Sequence, residues 1–461
     1  MSMFANNQTL AQMRSAKVAV VGLGVTGVSV LNFLLSQNIK PDLFDSRGGL
    51  PEAVLSKPEL KDLNVKLGAF SDNEFKGYDF VIVSPGISLS TPALVQARQE
   101  IDNVFCDVEL FARVNQKPVV AVTGSNGKST VVAWLEDFLN RVGKKAVACG
   151  NYGVPVLDVV RQDYDVFILE LSSFQLESTT SLVCEAATVL NVTEDHMDRY
   201  DSFEHYSRAK NKIYQRAKLC LYNHDDFQTK PLISHHKVES FGALAACFEQ
   251  TCWHYEPDTQ SLKRNQDILA NLKDCKVTGQ HNGLNALAVL ALASSLGVDI
   301  KAEAKHLEGF AGLPHRCQFV AETDGVTYIN DSKATNIAST QAALSGLASG
   351  KNVILLAGGD AKGGDLSELA PAISAAVKKV IAFGRDAAQF SDFLQEQQLI
   401  RVSTLEEAVA QAKALSQSGD LVLLSPACAS IDMFANYQQR GERFVQTVKR
   451  LSHSTGEQEK T

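Results

Sequence analysis

No CxxC pair occurs in these 461 residues, and the nine cysteines are scattered and odd in number. That excludes a disulfide-stapled miniprotein and reads as reduced thiols in a cytosolic protein. Cys247 and Cys252, with His254 nearby, come nearest to a metal site, but three ligands at unusual spacing fit a plain surface hairpin better. Basic charge is not in surplus: Lys plus Arg is 44, Asp plus Glu is 52, and the net charge is −8. A general nucleic-acid binder needs a basic face, so that class is set aside, although local anion sites remain open. Long apolar runs are also missing. The stretch 284–298 is broken by Asn285, Ser294 and Ser295 and reads as a buried helix rather than a membrane span. MSMFANNQTLAQMRSAK has no apolar core and is not a signal peptide. There is no tandem repeat and no low-complexity tract. What is present is 45% apolar and 21% charged residues, an ordinary soluble composition. At ~150 residues per domain the length suits about three domains.

The chain alternates strand and helix. Apolar runs at 17–22, 41–45, 78–86, 118–124, 165–173 and 186–193 read as strands. Helical spacing covers 26–38, 127–143 and 203–218. A third unit near Leu313 has strands at 327–331, 352–359, 378–384 and 420–427. Apolar strands separated by helices imply parallel sheets covered on both faces. Residues 223–275 are polar and aperiodic and read as excursions from the second domain.

Two glycine-rich loops each lie between a strand and a helix. GLGVTG, with Gly22, Gly24 and Gly27, has dinucleotide spacing, and Asp45 ends the next strand at the ribose-binding position. It suits a pyrophosphate on a helix start; nicotinamide dinucleotide, another nucleotide diphosphate and a bare tight turn all remain open. TGSNGKST runs from Thr123 to Thr130. Its backbone N–H groups suit phosphates, Lys128 suits the β/γ-phosphates and Ser129 a magnesium ion, although Val122 replaces the usual first glycine.

Further candidates gain meaning in company. Glu170 ends a strand beside the phosphate loop, where a magnesium ligand belongs. His196 in TEDHMDRY and Lys210 in a following helix are individually ordinary. GLPHRCQ, NDSKATN, GGDAKGGD and LSPACASIDMF supply Arg316, Asp331, Lys333, Lys362 and Ser430 in loops that follow or end strands. Cys428 has no His nearby to activate it.

With these motifs in order along nearly the whole chain, the sequence resembles the Mur ligases. TGSNGKST is similar to the ATP loop of the Mur ligase and folylpolyglutamate synthetase superfamily, where the departure at Val122 is usual. HMDRY, GQHNGLN, GLPHR and NDSKATN narrow the resemblance, and NDSKATN with SPACASIDMF points to the D-glutamate-adding branch. The resemblance implies an α/β fold of three domains: a Rossmann-like UDP-substrate domain (1–106), a central phosphate-loop ATPase domain with a mostly parallel sheet (107–312), and a Rossmann-like amino-acid domain (313–461). It implies ATP-dependent joining of D-glutamate to UDP-N-acetylmuramoyl-L-alanine through an acyl phosphate, in cytoplasmic peptidoglycan precursor synthesis, by a monomer with neither nucleic-acid nor membrane partner. GLGVTG then becomes a uridine diphosphate site, and the nicotinamide reading falls.

By the same resemblance, Lys128, Glu170, His196 and Lys210 are catalytic. Two magnesium ions are implied, Ser129 with Glu170 holding one and His196 with a carbamylated Lys210 serving the other. Gly124, Ser125, Asn126, Gly127, Lys128, Ser129, Thr130, Asn282, Arg316 and Asp331 bind ATP. Val25, Thr26, Ser46, Arg47, Gly86, Asn151, Ser172 and His196 face the UDP-substrate. Lys333, Thr335, Lys362, Ser430, Ile431 and Tyr437 face D-glutamate, with the SPACAS loop leading into a helix whose dipole favours an anion.

Overall fold

The computed structural model describes residues 7–195, 197, 199–234, 237–243, 249–277 and 279–456, with side chains to 451. Three mixed helix–strand layers follow one another along the chain. The first sheet holds β1 (Val18–Val21), β2 (Asp42–Asp45), β3 (Val65–Leu67), β4 (Phe80–Val83) and β5 (Val104–Phe105), in the order β3-β2-β1-β4-β5, all parallel. The second holds β6 (Val119–Thr123), β7 (Ala146–Gly150), β8 (Val166–Glu170), β9 (Ala186–Val189), β10 (Cys220–Asn223), β11 (Val238–Gly242), β12 (Cys252–Glu256), β13 (Ser261–Arg264) and β14 (Asp267–Asn271). Their order is β14-β13-β12-β11-β10-β9-β6-β8-β7. The third holds β15 (Gln318–Thr323), β16 (Val326–Asn330), β17 (Val353–Gly358), β18 (Val377–Phe383), β19 (Leu399–Arg401) and β20 (Leu421–Leu424), in the order β15-β16-β20-β17-β18-β19.

β1, β4, β6, β8, β9, β17 and β20 are buried at every position. Both faces are covered, so these strands read as continuous apolar runs rather than as alternation. Parallel pairing is observed through most of the three sheets; β12 pairs β13 and β15 pairs β16 antiparallel, and β14 follows β13 after two residues, as a hairpin requires. Each sheet reverses its strand order around β1, β6 and β20 respectively. Crevices beyond the carboxyl ends of strands at such points are where open α/β sheets bind ligands.

Two compact units emerge from the packing: residues up to Val192 with Arg199–Ala270 and Leu284–Leu307, and Thr193–Asp198 with Asn271–Gly283 and Glu308 onward. In the first unit, one continuous core runs from Leu10, Val30 and Ile82 to Phe111, Phe167 and Val189. The helix Asp107–Val114 joins its two sheets, with the rings of Phe111 and Phe167 edge to face at 5.3 Å. The helix Gln280–Ser295 buries Ala286 through Ala293 completely, as its apolar run requires. Among the described residues no helix is long and apolar enough to cross a membrane.

Several expectations need correction. Residues 223–275 are no excursion: β11 to β14 extend the central sheet, with Trp253 and Tyr255 turned inward. The helix expected over 203–218 stops at Asn211 and tightens into a 3₁₀ turn, Lys212–Tyr214. No helix follows SPACAS directly; the chain turns until Asn436 and the helix begins at Tyr437. Among the described residues seven cysteines are free, but Cys252 is disulfide-bonded, which departs from wholly reduced thiols and removes it as a thiolate ligand beside His254. Cys247, the other member of that group, lies outside the described residues.

Candidate functional site

The phosphate loop follows β6, and the helix Lys128–Arg141 leaves it. Gly127 precedes that helix at φ 81, a conformation costly for a side chain with Cβ. The first-turn N–H groups of a helix have no intrahelical acceptor, and the helix dipole favours an anion there. Lys128 curls over its own loop, Nζ donating to the carbonyls of Gly124 and Ser125 at 2.7 and 2.8 Å. Ser129 and Thr130 are buried in the first turn. Tyr206 reaches in from the helix Phe203–Asn211, its hydroxyl 3.1 Å from Ser125 Oγ. Lys210, buried on the same helix, donates to Gly124 O at 2.9 Å and lies 4.4 Å from the centre of the Tyr206 ring.

Sheet register brings Glu170 to this loop. β8 lies between β6 and β7, so Glu170 pairs with Val122 on one side and Gly150 on the other. A Cβ on Gly150 would stand 2.4 Å from Glu170 O, so only glycine allows this approach. The next residue, Asn151, donates from Nδ2 to Glu170 Oε1 at 2.6 Å. Glu170 is 2% exposed, and its Oε2 has no hydrogen-bond partner among the described residues. A buried carboxylate oxygen without a donor is costly for the fold alone. It suits a hard divalent cation, and the hydroxyl of Ser129 is an oxygen donor of the same kind. His196, expected beside them, lies outside the described residues.

Asn151 also borders the second feature, a cleft of about 580 Å³. Seven of the residues expected to face the UDP-substrate line it: Val25, Thr26, Ser46, Arg47, Gly86, Asn151 and Ser172. Its floor is the first glycine loop. A Cβ on Gly27 would fall 1.8 Å from Gly22 O, which explains the third glycine as a helix–strand contact. Asp45 is buried and fully engaged, Oδ2 accepting from Leu23 N at 2.7 Å and both oxygens meeting the Arg47 guanidinium at 2.7 and 2.8 Å. The Arg47 hydrogen bonds outweigh burial and hold its pKa down to about 2. With its oxygens so occupied, Asp45 does not present a free acceptor to ribose hydroxyls. Ser172 caps the short helix Ser173–Glu177 in a reciprocal box with Gln175. Ser84, Phe174 and Gln175 also line the cleft and were not anticipated; SPG after β4 and LSSFQLE after β8 were the available signals.

In the second unit, three loops leave the carboxyl ends of β16, β17 and β20. Asp331 lies at their centre: Oδ1 accepts from Cys317 N at 3.1 Å and Oδ2 from Ser425 Oγ at 2.8 Å. Burial raises its pKa to about 6. Arg316 stands between His315 and Cys317, both at positive φ (63 and 46), in a turn bound to the next loop by Lys333 N to His315 O at 3.0 Å. Asn282 is 9% exposed near the start of the helix Gln280–Ser295. Asp360 and Ala429 exchange two backbone hydrogen bonds, at 3.0 and 2.8 Å, joining the GGDAKGGD and SPACAS loops.

A cavity of about 610 Å³ in this unit is lined by Thr335 and Lys362, with Glu194 and Asp195 among its other walls. Lys362 Nζ pairs with Asp195 Oδ1 at 3.1 Å. Lys333 lies 4.2 Å from the centre of the Tyr437 ring. Ser430 is buried and Ile431 is 68% exposed, and neither is among the cavity's lining residues. The structure thus gathers Thr335 with Lys362 and Lys333 with Tyr437, but not all six residues into one cavity.

Comparison with known proteins gives the family. Residues 16–105 match the Mur ligase MurD-like N-terminal domain, 122–293 the Mur ligase middle domain and 315–428 the Mur ligase glutamate ligase domain. The chain is 45% identical over 448 residues to a UDP-N-acetylmuramoylalanine–D-glutamate ligase of Pseudoalteromonas translucida, covering 95% of this chain and 98% of that one. The protein of the same name from Escherichia coli is 40% identical over 444 residues, covering 96% and 100%. Among solved structures, a pseudomurein peptide ligase type C from Methanothermus fervidus shares the fold with a TM-score of 0.63 at 18% identity, covering 95% of this chain and 100% of that one. UDP-N-acetylmuramate–alanine ligase from Thermotoga maritima does so at 0.58 and 20%, covering 94% and 99%. On the strength of these near full-length relatives, the chain belongs to the Mur ligase family.

Proposed function

We propose that the protein joins D-glutamate to the L-alanyl carboxylate of UDP-N-acetylmuramoyl-L-alanine, using ATP, in peptidoglycan precursor synthesis. One observation carries the reading beyond its relatives. Asn151 lines the first glycine loop's cleft and bonds Glu170, which the sheet holds against the phosphate loop. A substrate carboxylate and a triphosphate are thereby directed to neighbouring places.

A free carboxylate acylates poorly. Its oxygen attacks the γ-phosphorus, the bond to the ADP oxygen breaks, and an acyl phosphate forms. The amine of D-glutamate then attacks the acyl carbonyl; phosphate leaves and the amine loses a proton. Such chemistry depends on positioning and charge neutralisation. Lys128 supplies positive charge at the transferred phosphoryl group. The backbone N–H groups of residues 127–130 and the helix start face the phosphates. Arg47 meets the diphosphate of the UDP-substrate while Asp45 orients its guanidinium. Thr26, Ser46 and Ser172 contribute hydroxyls, and Val25 and Gly86 shape the cleft. Arg316, Asp331 and Asn282 contribute to the nucleotide site, Asp331 by holding the Cys317 amide beside Arg316. Lys333 and Lys362, with Thr335, Ser430, Ile431 and Tyr437, take the dicarboxylate, whose two charges need cations or donors once water is lost.

Magnesium, when bound, lowers the repulsion between carboxylate and triphosphate. Ser129 and Glu170 would hold one ion, and the orphan Oε2 of Glu170 fits that part. His196 and a carbamylated Lys210 would serve the second. A carbamate keeps one N–H on Nζ, which accords with the bond from Lys210 to Gly124 O. A cytoplasmic monomer completes the reading. The test is a coupled phosphate-release assay with each substrate omitted in turn: release should require all three.

A further inference from the structure

We infer that Asn191 is a positioning residue that locks the first half of the phosphate loop, so that the Ser125 and Asn126 amides never reach the nucleotide. The inference rests on reading residues 123–130 as the nucleotide loop and divides that loop's labour.

Two amides of the loop are directed at one residue. Ser125 N donates to Asn191 O at 2.9 Å. Asn126 N donates to Asn191 Oδ1 at 2.7 Å, and Asn191 Nδ2 returns a bond to Asn126 O at 3.1 Å. A primary amide meeting both the N–H and the C=O of one peptide residue fixes that residue's orientation, because each bond fails if the peptide rotates. Asn191 is itself held. Leu190 N donates to Thr123 O at 2.9 Å, Asn223 Nδ2 donates to Leu190 O at 3.0 Å, and Val192 N donates to Asp226 Oδ2 at 2.7 Å. Residues 190–192 therefore form a fixed bar between the turn after β10 and the loop. That turn belongs to the polar, aperiodic segment 223–275.

An N–H that already donates at 2.7 Å in a partly buried setting is not a spare phosphate donor. The phosphate contacts fall to the amides of residues 127–130, which open the helix. A loop preorganised in this way binds without first ordering itself, and loss of the brace shows as weaker nucleotide binding.

Two experiments test this. Site-resolved amide exchange on the wild-type protein should find Ser125 and Asn126 protected without nucleotide and little changed by magnesium–ADP, with residues 127–130 gaining protection. Exchange of Ser125 and Asn126 that is fast without nucleotide and slowed only by it overturns the inference. Asn191→Leu, close in size, should raise the ATP KM and the ADP Kd about tenfold. KM for the other two substrates should hold, while the melting temperature falls only slightly, by the loss of two hydrogen bonds to a partly buried peptide. Equal losses for all substrates, or none, overturn it. Lys128→Ala run in parallel keeps the two readings apart: if it too leaves nucleotide binding and turnover intact, the loop assignment itself has failed, whereas a loss there with no change in Asn191→Leu sinks only the brace.

Discussion

Glu170→Gln separates a carboxylate kept for the fold from one kept for chemistry. In the structure Oε1 accepts from Asn151 at 2.6 Å, and Oε2 is buried without a donor among the described residues. Leaving such an acceptor unmade costs ~1–3 kcal/mol, and more when it carries charge. Glutamine keeps the shape and the acceptor for Asn151 while removing the charge. Without metal, the variant should be at least as stable as the wild type, by up to ~2 kcal/mol. Turnover should fall by ~10²–10³, the loss typical of removing one preorganised charge-stabilising group. Magnesium–ADP at about a hundred times its Kd should stabilise the wild type by ~2.7 kcal/mol and the variant by much less. Phosphate release gives the first quantity; thermal melts with and without magnesium–ADP give the others. A variant that melts lower without metal, yet retains turnover and the full ligand response, would make Glu170 a structural carboxylate and refute its metal role.

Three further expectations follow from other parts of the molecule. Asp107 is buried, and burial raises its pKa to about 6; the folded state then holds the proton more tightly than an unfolded chain near ~3.9, so stability falls as pH rises between these values and is level above them. Asp107→Asn should therefore stabilise by ~1–3 kcal/mol at pH ~8 and by little at pH ~4, measured by urea unfolding, and equal effects at both would contradict the burial account. Arg47→Lys should raise the UDP-substrate KM about tenfold or more, because one ammonium cannot replace the forked contact with Asp45 and still meet a diphosphate; an unchanged KM would remove Arg47 from the cleft's chemistry. Lys333→Ala and Lys362→Ala should each raise the D-glutamate KM by ~10-fold or more and the ATP KM far less, since a charge-assisted bond contributes ~1.5–3 kcal/mol, whereas parallel losses for every substrate would point to a damaged fold.

What could be read in advance was local. GLGVTG and TGSNGKST lie between apolar strands and amphipathic helices, so spacing alone specifies a turn that bares amides. Glu170 was legible because a carboxylate ending an all-apolar strand has few structural reasons to be there. β11 to β14 were hidden because they are short strands near the sheet's margin: in β12 only Trp253 and Tyr255 alternate inward, and five residues rarely establish a period. The helix start at Tyr437 did have a signal. Asn436 Oδ1 accepts from Gln439 N at 2.9 Å, a cap that lies beyond the SPACAS loop from which the helix was expected to start. Contacts made by tertiary approach left no trace in spacing. Asn191 braces a loop 65 residues away, and Lys362 pairs with Asp195 across 167. The separation of Ser430 and Ile431 from the cavity at Thr335 and Lys362 is of the same kind: adjacency of motifs in a family does not state which side chains share a wall.

The central claim is that the protein activates a carboxylate with ATP and passes it to D-glutamate. Oxygen transfer tests this most directly. With UDP-N-acetylmuramoyl-L-alanine labelled with ¹⁸O in its carboxylate, the phosphate released during turnover with D-glutamate should carry one labelled oxygen per peptide bond formed, as an acyl phosphate requires. Unlabelled phosphate, or release that proceeds without the UDP-substrate, would contradict the account.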